Sequence, residues 1–445
     1  MTRELKIRLL GAIESDTLVF LCGAGLSMAA PSYLPSALAV ANECYDKYSP
    51  VEELDPALRD NVDALAGHFY ANQEFERIFI NRLVPWNKLA GTPNPGHTAI
   101  ADFLVCRAAA AALSANFDPL IENWAFEKKI AMRGALNGLE AVSFASVSSP
   151  LIKFHGCMQR GREQTVWTEG QLTEPEIAAR IQTCSQWMNL NLAGKHLVVV
   201  GFWSDWGYLN DVFATTLTLR NAASVTVVNP GTQQALETKA PLLWETLNRL
   251  SESFLHVEAY AEIFLDEVRT AFSEVWVRRF LANARQPAAR TMETGVIPAM
   301  AAAPEAVLQP LSGDELYDLR RDAEGKCYTT AATEKVPPVS SVQAARVRVR
   351  LLDSGATRER SWLKRNGMTI RVVNGGGQML EAVRDTFKEP PGFFQADITI
   401  CAGAEAVGAP AILIQEGERN SFLRPLGGAG TNWLTTDQAE ELGIL

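Results

Sequence analysis

Short apolar runs alternate with longer, helix-like stretches over roughly the first 280 residues of the chain. The runs are nearly continuous, as expected of parallel strands that helices cover on both faces. Segments such as PSALAVANECYDKY and GHTAIADFLVCRAAAA have the length and the alanine content of helices. Strands that alternate with helices predict a doubly wound α/β fold around a parallel sheet. The predicted strands are 17–22, 112–115, 151–154, 196–200 and 225–228.

The pattern changes after a helical stretch, FLDEVRTAFSEVWVRRFLANARQ. Residues 286–312 are rich in alanine and proline without clear periodicity, which predicts a linker. Beyond it, ARVRVRLL, MTIRVV, DITICAG and PAILIQEG predict strands, and GGGQMLEAVRDTF predicts a turn that enters a helix. We therefore predict a first domain over 1–285 and a smaller α/β or α+β domain over 313–445, as the length of 445 residues allows.

Composition and charge exclude several classes of protein. With 47% hydrophobic and 21% charged residues the chain is an ordinary globular protein, and no apolar run is long enough to span a membrane. Its start lacks a secretory signal pattern, which favours a cytoplasmic protein. The net charge of −10 argues against general nucleic-acid binding, although a local basic surface stays possible. None of the seven cysteines forms a C-x-x-C pair, so we expect neither a structural metal nor a disulfide framework.

The stretch LVFLCGAGLSMAA carries the first candidate site. Its strand leads into Gly23, Ala24 and Gly25, with Ser27 just beyond and a helix expected to follow. Glycines let the backbone approach a phosphate closely, and free N–H groups at a helix start attract negative charge. The alternative is a strand-to-helix turn without any ligand, because glycine motifs of this kind are not specific.

Two further predicted strands end in polar residues. Asn116 and Asp118 follow the strand in LSANFDPLIENW, where open α/β sheets place ligand contacts, although both are also common turn formers. His155 ends the strand in LIKFHGCM beside Gly156, and of the five histidines it is the best placed general base. A structural role for His155 is the alternative. His97, at a predicted helix start, is assigned a packing or capping role.

The fourth and fifth turns, in LVVVGFWSDWGYLND and VTVVNP, offer contacts for a second ribose and an adenine. The first provides Gly201, Phe202, Ser204 and Asp205, and the second provides Asn229. Both turns follow near-continuous apolar runs, so their polar residues are expected at the same edge of the sheet as the other candidates.

Taken in order, G-A-G-x-S, N-x-D, H-G, V-G-F and V-V-N resemble the sirtuin superfamily, which has a Rossmann-like fold. The resemblance spans roughly residues 15–230 and is nearest to bacterial sirtuin-like proteins that cleave NAD. It implies that Asn116, Asp118 and His155 are catalytic: Asn116 lies near the nicotinamide ribose and the attacking water, Asp118 holds the nicotinamide amide and His155 is the catalytic histidine. The NAD-binding residues that it implies are Gly23, Ala24, Gly25, Ser27, Gly201, Phe202, Asp205 and Asn229.

Departures from the sirtuin pattern bear on the reaction. Protein-deacylating sirtuins carry two zinc-binding C-x-x-C pairs after the catalytic histidine, and this chain has none. The chain also has APSYLPSAL where those enzymes have an Asp-Phe-Arg stretch, and Ala115 where they have Gln or Thr. The resemblance therefore implies an NAD+ hydrolase that uses NAD+ as its substrate and needs no metal. A sirtuin-type deacylase and a catalytically silent NAD- or ADP-ribose-binding subunit are the alternatives.

Similar bacterial proteins act in antiphage defence, where infection triggers an NADase that depletes NAD. The resemblance thus implies a regulated enzyme in a homo-oligomer or a hetero-complex. Its partner would be a sensor subunit, for example an Argonaute-like, ATPase or nucleotide-processing protein, and its trigger a nucleotide or a nucleic acid. The 313–445 domain is the candidate for this regulation or for partner binding.

An arginine-rich stretch, AARVRVRLL, begins the strand pattern of the second domain. Alternation along a strand would place Arg346, Arg348 and Arg350 on one face and two valines on the other. This face is either a solvated surface or a basic surface for a phosphate-bearing ligand, a nucleic acid or an acidic partner.

Overall fold

The computed structural model describes residues 1–145, 148–203, 206–217, 223–291, 308, 311–321, 325, 339–359, 362–389, 395–406 and 432–445. These residues form two compact units, one of Met1–Phe126 with Ala131–Val268 and one of Glu127–Ile130 with Arg269–Leu445. The division falls at residue 268, while the limits 1–285, 286–312 and 313–445 stay predictions. Residues 292–307 of the predicted linker lie outside the described residues.

The first unit contains a six-stranded parallel sheet. Its strands are β1 (Leu18–Cys22), β2 (Ala111–Ser114), β3 (Leu151–Lys153), β4 (His196–Val200), β5 (Ser224–Asn229) and β6 (Phe254–Glu258). The order β3-β2-β1-β4-β5-β6 runs outward from β1 in both directions, as in a doubly wound fold. The predicted Rossmann-like α/β class is confirmed, and each predicted strand agrees with an observed one to within one residue at either end. The strand β6 was not predicted.

Helices cover the sheet of the first unit. They are α1 (Arg3–Glu14), α2 (Ala37–Tyr48), α3 (Val62–Ala71), α4 (Pro95–Val105), α5 (Leu120–Glu127), α6 (Gly138–Phe144), α7 (Pro175–Asn191), α8 (Gly207–Thr216), α9 (Gln233–Lys239), α10 (Pro241–Asn248) and α11 (Ala261–Thr291), of which α11 continues into the second unit. Side-chain oxygens of Ser36 and Asn94 accept backbone N–H groups at the starts of α2 and α4. No helix among the described residues is both long and apolar enough to cross a membrane.

Alternating side chains of β1 pack on both faces of the sheet, which is why its apolar run is continuous. The ring of Phe20 stacks on Phe103 of α4 with 5.3 Å between the centroids. Val19 and Leu21 belong to the core that contains Met188 of α7. Both faces of this strand are therefore dry, and only its carboxyl end is open to polar chemistry.

The second unit contains a five-stranded mixed sheet of order β11-β10-β9-β8-β7. Its three strands β9 to β11 are parallel, whereas β7 to β9 are antiparallel. This confirms a second, smaller domain with helices and strands, although the predicted strand PAILIQEG lies outside the described residues. The elements are α12 (Gly313–Arg320), α13 (Val339–Asp353), β7 (Thr357–Glu359), β8 (Trp362–Arg365), β9 (Met368–Asn374), α14 (Leu380–Phe387), β10 (Ile398–Ala402), β11 (Asn432–Thr435) and α15 (Thr436–Glu441).

The predicted arginine-rich strand is wrong, because its residues lie in the helix α13. The V-R-V-R alternation is only a few residues long, and the alanines, leucines and arginines around it favour a helix. Arg346 is exposed, and Arg350 pairs with Glu440. Arg348, by contrast, is buried against Glu315 with 2.8 Å between nitrogen and oxygen, so the three arginines do not share one face.

Candidate functional site

The predicted site residues follow the carboxyl ends of five parallel strands in the first unit. Open parallel sheets bind ligands at this edge. We call the ends of β1 to β5, together with the residues that follow them, the carboxyl edge. The predicted residues Ser204 and Asp205 lie outside the described residues. The others are Gly23, Ala24, Gly25 and Ser27 after β1, Asn116 and Asp118 after β2, His155 after β3, Gly201 and Phe202 after β4, and Asn229 at the end of β5.

The glycine turn after β1 packs directly against the turn after β4. The amide of Gly25 donates to the carbonyl of Gly201 at 2.9 Å, and a Cβ on Gly23 would lie 2.5 Å from that same oxygen. Gly201 itself has a φ of +60°, which also favours glycine. Instead of the expected helix, a short 3₁₀ turn, Ala24–Ser27, follows. The glycines are thus required by close backbone packing, whether or not a phosphate binds there.

A buried hydrogen-bond network joins the turns after β1 and β2. The side-chain nitrogen Nδ2 of Asn116 donates to the carbonyl of Gly23 at 3.0 Å and to the hydroxyl of Ser27 at 3.3 Å. The hydroxyl of Ser27 donates to Oδ2 of Asp118 at 2.9 Å, and Oδ1 accepts the amide of Leu120 at 3.2 Å. The two residues that the sequence paired, Asn116 and Asp118, therefore meet at Ser27.

His97 adds a donor to this network, and its tautomer follows from its partners. Burial lowers the pKa of His97 to about 4, so the ring is neutral near pH 7. Its Nδ1 accepts the backbone N–H of Asn94 at 3.2 Å, which confirms the predicted capping role. The ring proton is therefore on Nε2, which donates to the hydroxyl of Ser27 at 3.0 Å. His97 cannot act as a base toward Ser27, so this serine is an oriented donor to Asp118 rather than a nucleophile.

His155 is buried and neutral. Burial, and after it the positive charge of Arg180, lowers the pKa of His155 to about 3. Its Nε2 lies 2.7 Å from the hydroxyl of Tyr208, and its ring lies 4.7 Å from that of Trp206. The unprotonated imidazole is the form that a general base requires, but a pKa this far below 7 makes it a weak proton acceptor. Tyr208 and Trp206 were not predicted as site residues. Their position shortly after β4, in the sequence WGY, was the signal that could have indicated them.

Lys153 is a third residue at the carboxyl edge that sequence reasoning missed. It is the last residue of β3, is 1% exposed, and its ammonium contacts the main-chain carbonyl of Asp118. A lysine within the apolar run LIKF was the available signal, since a charge in a buried strand needs partners.

The turns after β4 and β5 leave two buried donors open. Within the described residues, neither Nδ2 of Asn229 nor Nε1 of Trp203 has a hydrogen-bond partner. Oδ1 of Asn229 accepts the amide of Gly231 at 3.0 Å, and a Cβ on Gly231 would lie 2.7 Å from the Trp203 ring. Because buried N–H groups are nearly always paired, this part of the edge is suited to a ligand that brings acceptors. Phe202, in contrast, packs its side chain in the core.

No set of three or more His, Cys, Asp or Glu side chains arranged to hold a metal occurs in the described parts of the chain. The six cysteines in these parts, Cys22, Cys44, Cys106, Cys157, Cys184 and Cys401, are buried free thiols.

Comparisons with known proteins found structural similarity only. No family model matches the chain, and no curated protein does. A solved Sir2 homologue mutant in complex with ADP-ribose is 16% identical, with a TM-score of 0.37 over 62% of this chain and 98% of that one. A Sir2 homologue in complex with NAD is 15% identical, with a TM-score of 0.37 over 60% of this chain and 94% of that one. Similarity at this level says nothing about a substrate.

Proposed function

We propose that the first unit is an NAD+ hydrolase that releases nicotinamide and ADP-ribose. The observation that carries the proposal is the directed network in which Ser27 donates to the Asp118 carboxylate and Asn116 donates to Ser27. His155, neutral near pH 7, lies at the same edge of the sheet. The sirtuin resemblance assigns the reaction to Asn116, Asp118 and His155, and NAD binding to Ser27.

The reaction divides between three side chains. The bond from C1′ of the ribose to the nicotinamide nitrogen breaks, and its electron pair leaves with neutral nicotinamide, while water adds to C1′ and releases a proton. Asp118 holds the carboxamide, Asn116 fixes the ribose and the water, and His155 accepts the proton that the water releases, relayed through a ribose hydroxyl. A general base of this kind typically contributes about 10²–10⁴-fold, and positioning supplies much of the rest.

The adenosine half of NAD+ fits the open donors of the carboxyl edge. Ribose hydroxyls and adenine nitrogens are hydrogen-bond acceptors, and both Nδ2 of Asn229 and Nε1 of Trp203 are buried donors that lack one. We propose that these two residues hold the adenosine, with the turns of Gly23 and Gly201 beneath the pyrophosphate.

By the same resemblance, we propose that the chain is a triggered NAD-depleting effector of bacterial antiphage defence, acting in the cytoplasm. Constant NAD hydrolysis would kill the host, so such an enzyme needs control. The second unit is the candidate for that control, through oligomerisation, a sensor subunit or a nucleotide trigger.

The experiment is nicotinamide release from NAD+ by the full chain and by Asn116→Ala and His155→Ala, each alone and with lysate from phage-infected cells. The matched control is His68→Ala, which removes a histidine of α3 whose side chain hydrogen-bonds Asn72 at the end of the same helix. Release by the wild type and by the control, but by neither site variant, is the expected result. A requirement for lysate would indicate the trigger or partner.

A second candidate function, a silent NAD- or ADP-ribose-binding module, is favoured by one specific observation. Tyr208 contacts the Nε2 atom of His155, so that atom is already engaged. In this case NAD+ binds, no nicotinamide is released under any condition, and His155→Ala has no effect beyond stability.

A further inference from the structure

Lys153 ties together three segments beside the proposed nicotinamide pocket. Its Nζ donates to the carbonyl oxygen of Asp118, lies 3.2 Å from Oε1 of Glu122 in α5, and lies 3.5 Å from Sγ of Cys157. His155 follows two residues after Lys153, just beyond the end of β3. A single buried side chain thus links the turn after β2, a helix and the turn after β3.

The lysine is held in its charged form. Burial, the largest single influence, would lower the pKa of Lys153, but Glu122 together with Cys157 and Asp118 outweighs burial, and the net change raises the pKa above its ordinary value. Gly134 leaves room for the lysine stem, because a Cβ there would lie 2.6 Å from Cδ of Lys153. An ammonium group enclosed in this way donates along fixed directions, unlike a lysine on the surface.

We propose that Lys153 is a positioning residue for nicotinamide, acting through the main chain of Asp118. This inference rests on the proposed function, in which the Asp118 carboxylate holds the carboxamide. The ammonium group fixes the Asp118 carbonyl, while Ser27 and the Leu120 amide fix the carboxylate of the same residue. Without the ammonium group a buried carbonyl loses its donor, and the turn shifts to find another.

The test compares Glu122→Gln with the double variant Lys153→Met and Glu122→Gln. Both variants lack the buried carboxylate, but Glu122→Gln keeps the buried ammonium without its partner, whereas the double variant removes both charges of the ion pair. They differ in the donor to Asp118. The full chain is titrated with ADP-ribose and with a carbocyclic NAD analogue, which keeps nicotinamide but resists hydrolysis.

The double variant is expected to bind the carbocyclic analogue on the order of tenfold more weakly than Glu122→Gln, with ADP-ribose affinity unchanged. General loosening of the fold would weaken both ligands alike, so the ratio of the two affinities isolates the nicotinamide end. Lys153→Arg keeps a donor and a charge, so its ratio of analogue affinity to ADP-ribose affinity should lie between those of the double variant and the wild type. Equal ratios in the double variant and in the wild type would overturn the role of Lys153.

A second variant guards against misfolding of the double variant. Gly134→Ala presses on Lys153 and Glu122 without removing either charge, and it should weaken the analogue more than ADP-ribose. A wild type that binds the analogue no better than ADP-ribose would overturn the nicotinamide pocket itself, and with it the proposed function. If the wild type binds the analogue more tightly than ADP-ribose but the variants do not change the ratio of the two affinities, only the assignment of Lys153 is overturned.

Discussion

Arg371 of the second unit and Asn229 of the carboxyl edge are both buried, but their hydrogen-bonding capacity is satisfied to different degrees. In the second unit, Arg371 donates to both oxygens of Asp318, at 2.7 and 2.8 Å, and its third nitrogen donates to the carbonyl of Phe387 at 2.8 Å. At the carboxyl edge of the first unit, Asn229 and Trp203 keep donors that nothing in the described residues accepts. A buried polar group therefore indicates a ligand only where its hydrogen-bonding capacity is left open.

The buried arginines of the second unit also pack against an aromatic ring. The guanidinium of Arg321 lies 4.5 Å from the centroid of the Phe387 ring, and that of Arg371 lies 5.8 Å from it. Arginine is suited to this use because its planar group stacks on aromatic faces and still pairs with carboxylates. Arginine content in this domain is therefore no measure of a basic surface.

The largest effect is expected at the carboxyl edge, on activity. His155→Ala should lower nicotinamide release by about 10²–10⁴-fold, because it removes the proposed base. ADP-ribose binding, measured by calorimetry, should stay within a few-fold of the wild type. If His155→Ala changes neither nicotinamide release nor ADP-ribose binding, His155 is not the base. The carboxyl edge would then not differ from the structural network of the second unit in this respect.

The next effect is expected in the second unit, on stability. Asp318→Asn removes the carboxylate that accepts from two nitrogens of Arg371 and leaves Glu389, 3.4 Å from the third nitrogen, as a counter-charge, which should lower the free energy of unfolding by about 1.5–3 kcal/mol. The measurement is urea unfolding of the full chain. The matched control is Glu359→Gln, which removes a carboxylate from the partly exposed Lys364 pair and should cost no more than about 1 kcal/mol. Equal losses in the two variants would mean that burial does not set the strength of these pairs.

The sequence predicts the first unit better than the second for a physical reason. Strands such as β1 are buried on both faces, so their apolar runs are continuous and easily recognised. The prediction for the arginine-rich stretch of α13 was wrong because a carboxylate from another part of the chain allows an arginine to be buried, as Glu315 does for Arg348. Partners of this kind are far apart in sequence and leave no periodic signal.

The same limit applies within the carboxyl edge. Asn116, Asp118 and His155 could be placed from strand ends alone, because parallel strands align their carboxyl ends. The hydrogen bond of Ser27 to Asp118 and the contact of Tyr208 with His155 depend on how loops fold back. No spacing along the chain encodes those contacts.

A smaller effect concerns the pH dependence of stability. Burial lowers the pKa of His97 to about 4, from an ordinary value of 6.5. Below pH 6.5 the unfolded chain therefore binds a proton that the folded chain does not, so stability falls as the pH drops from about 6.5 toward 4. Melting temperatures between pH 8 and pH 4.5 should show a shallower fall for His97→Gln than for the wild type. Parallel curves would mean that the folded protein does protonate His97, whose Nδ1 could then no longer accept the backbone N–H of Asn94.

The smallest effect is expected at Arg350, and it tests the α13 correction directly. Arg350 and Glu440 are both partly exposed, so Arg350→Ala should change the free energy of unfolding by about 0–1 kcal/mol in urea. Arg348→Ala, two residues away, should cost about 3–5 kcal/mol because it leaves Glu315 buried without its partner. A strand with these arginines on one solvated face would give two small and similar values instead. A large difference between the two variants would therefore distinguish the helix from the strand without any further structure.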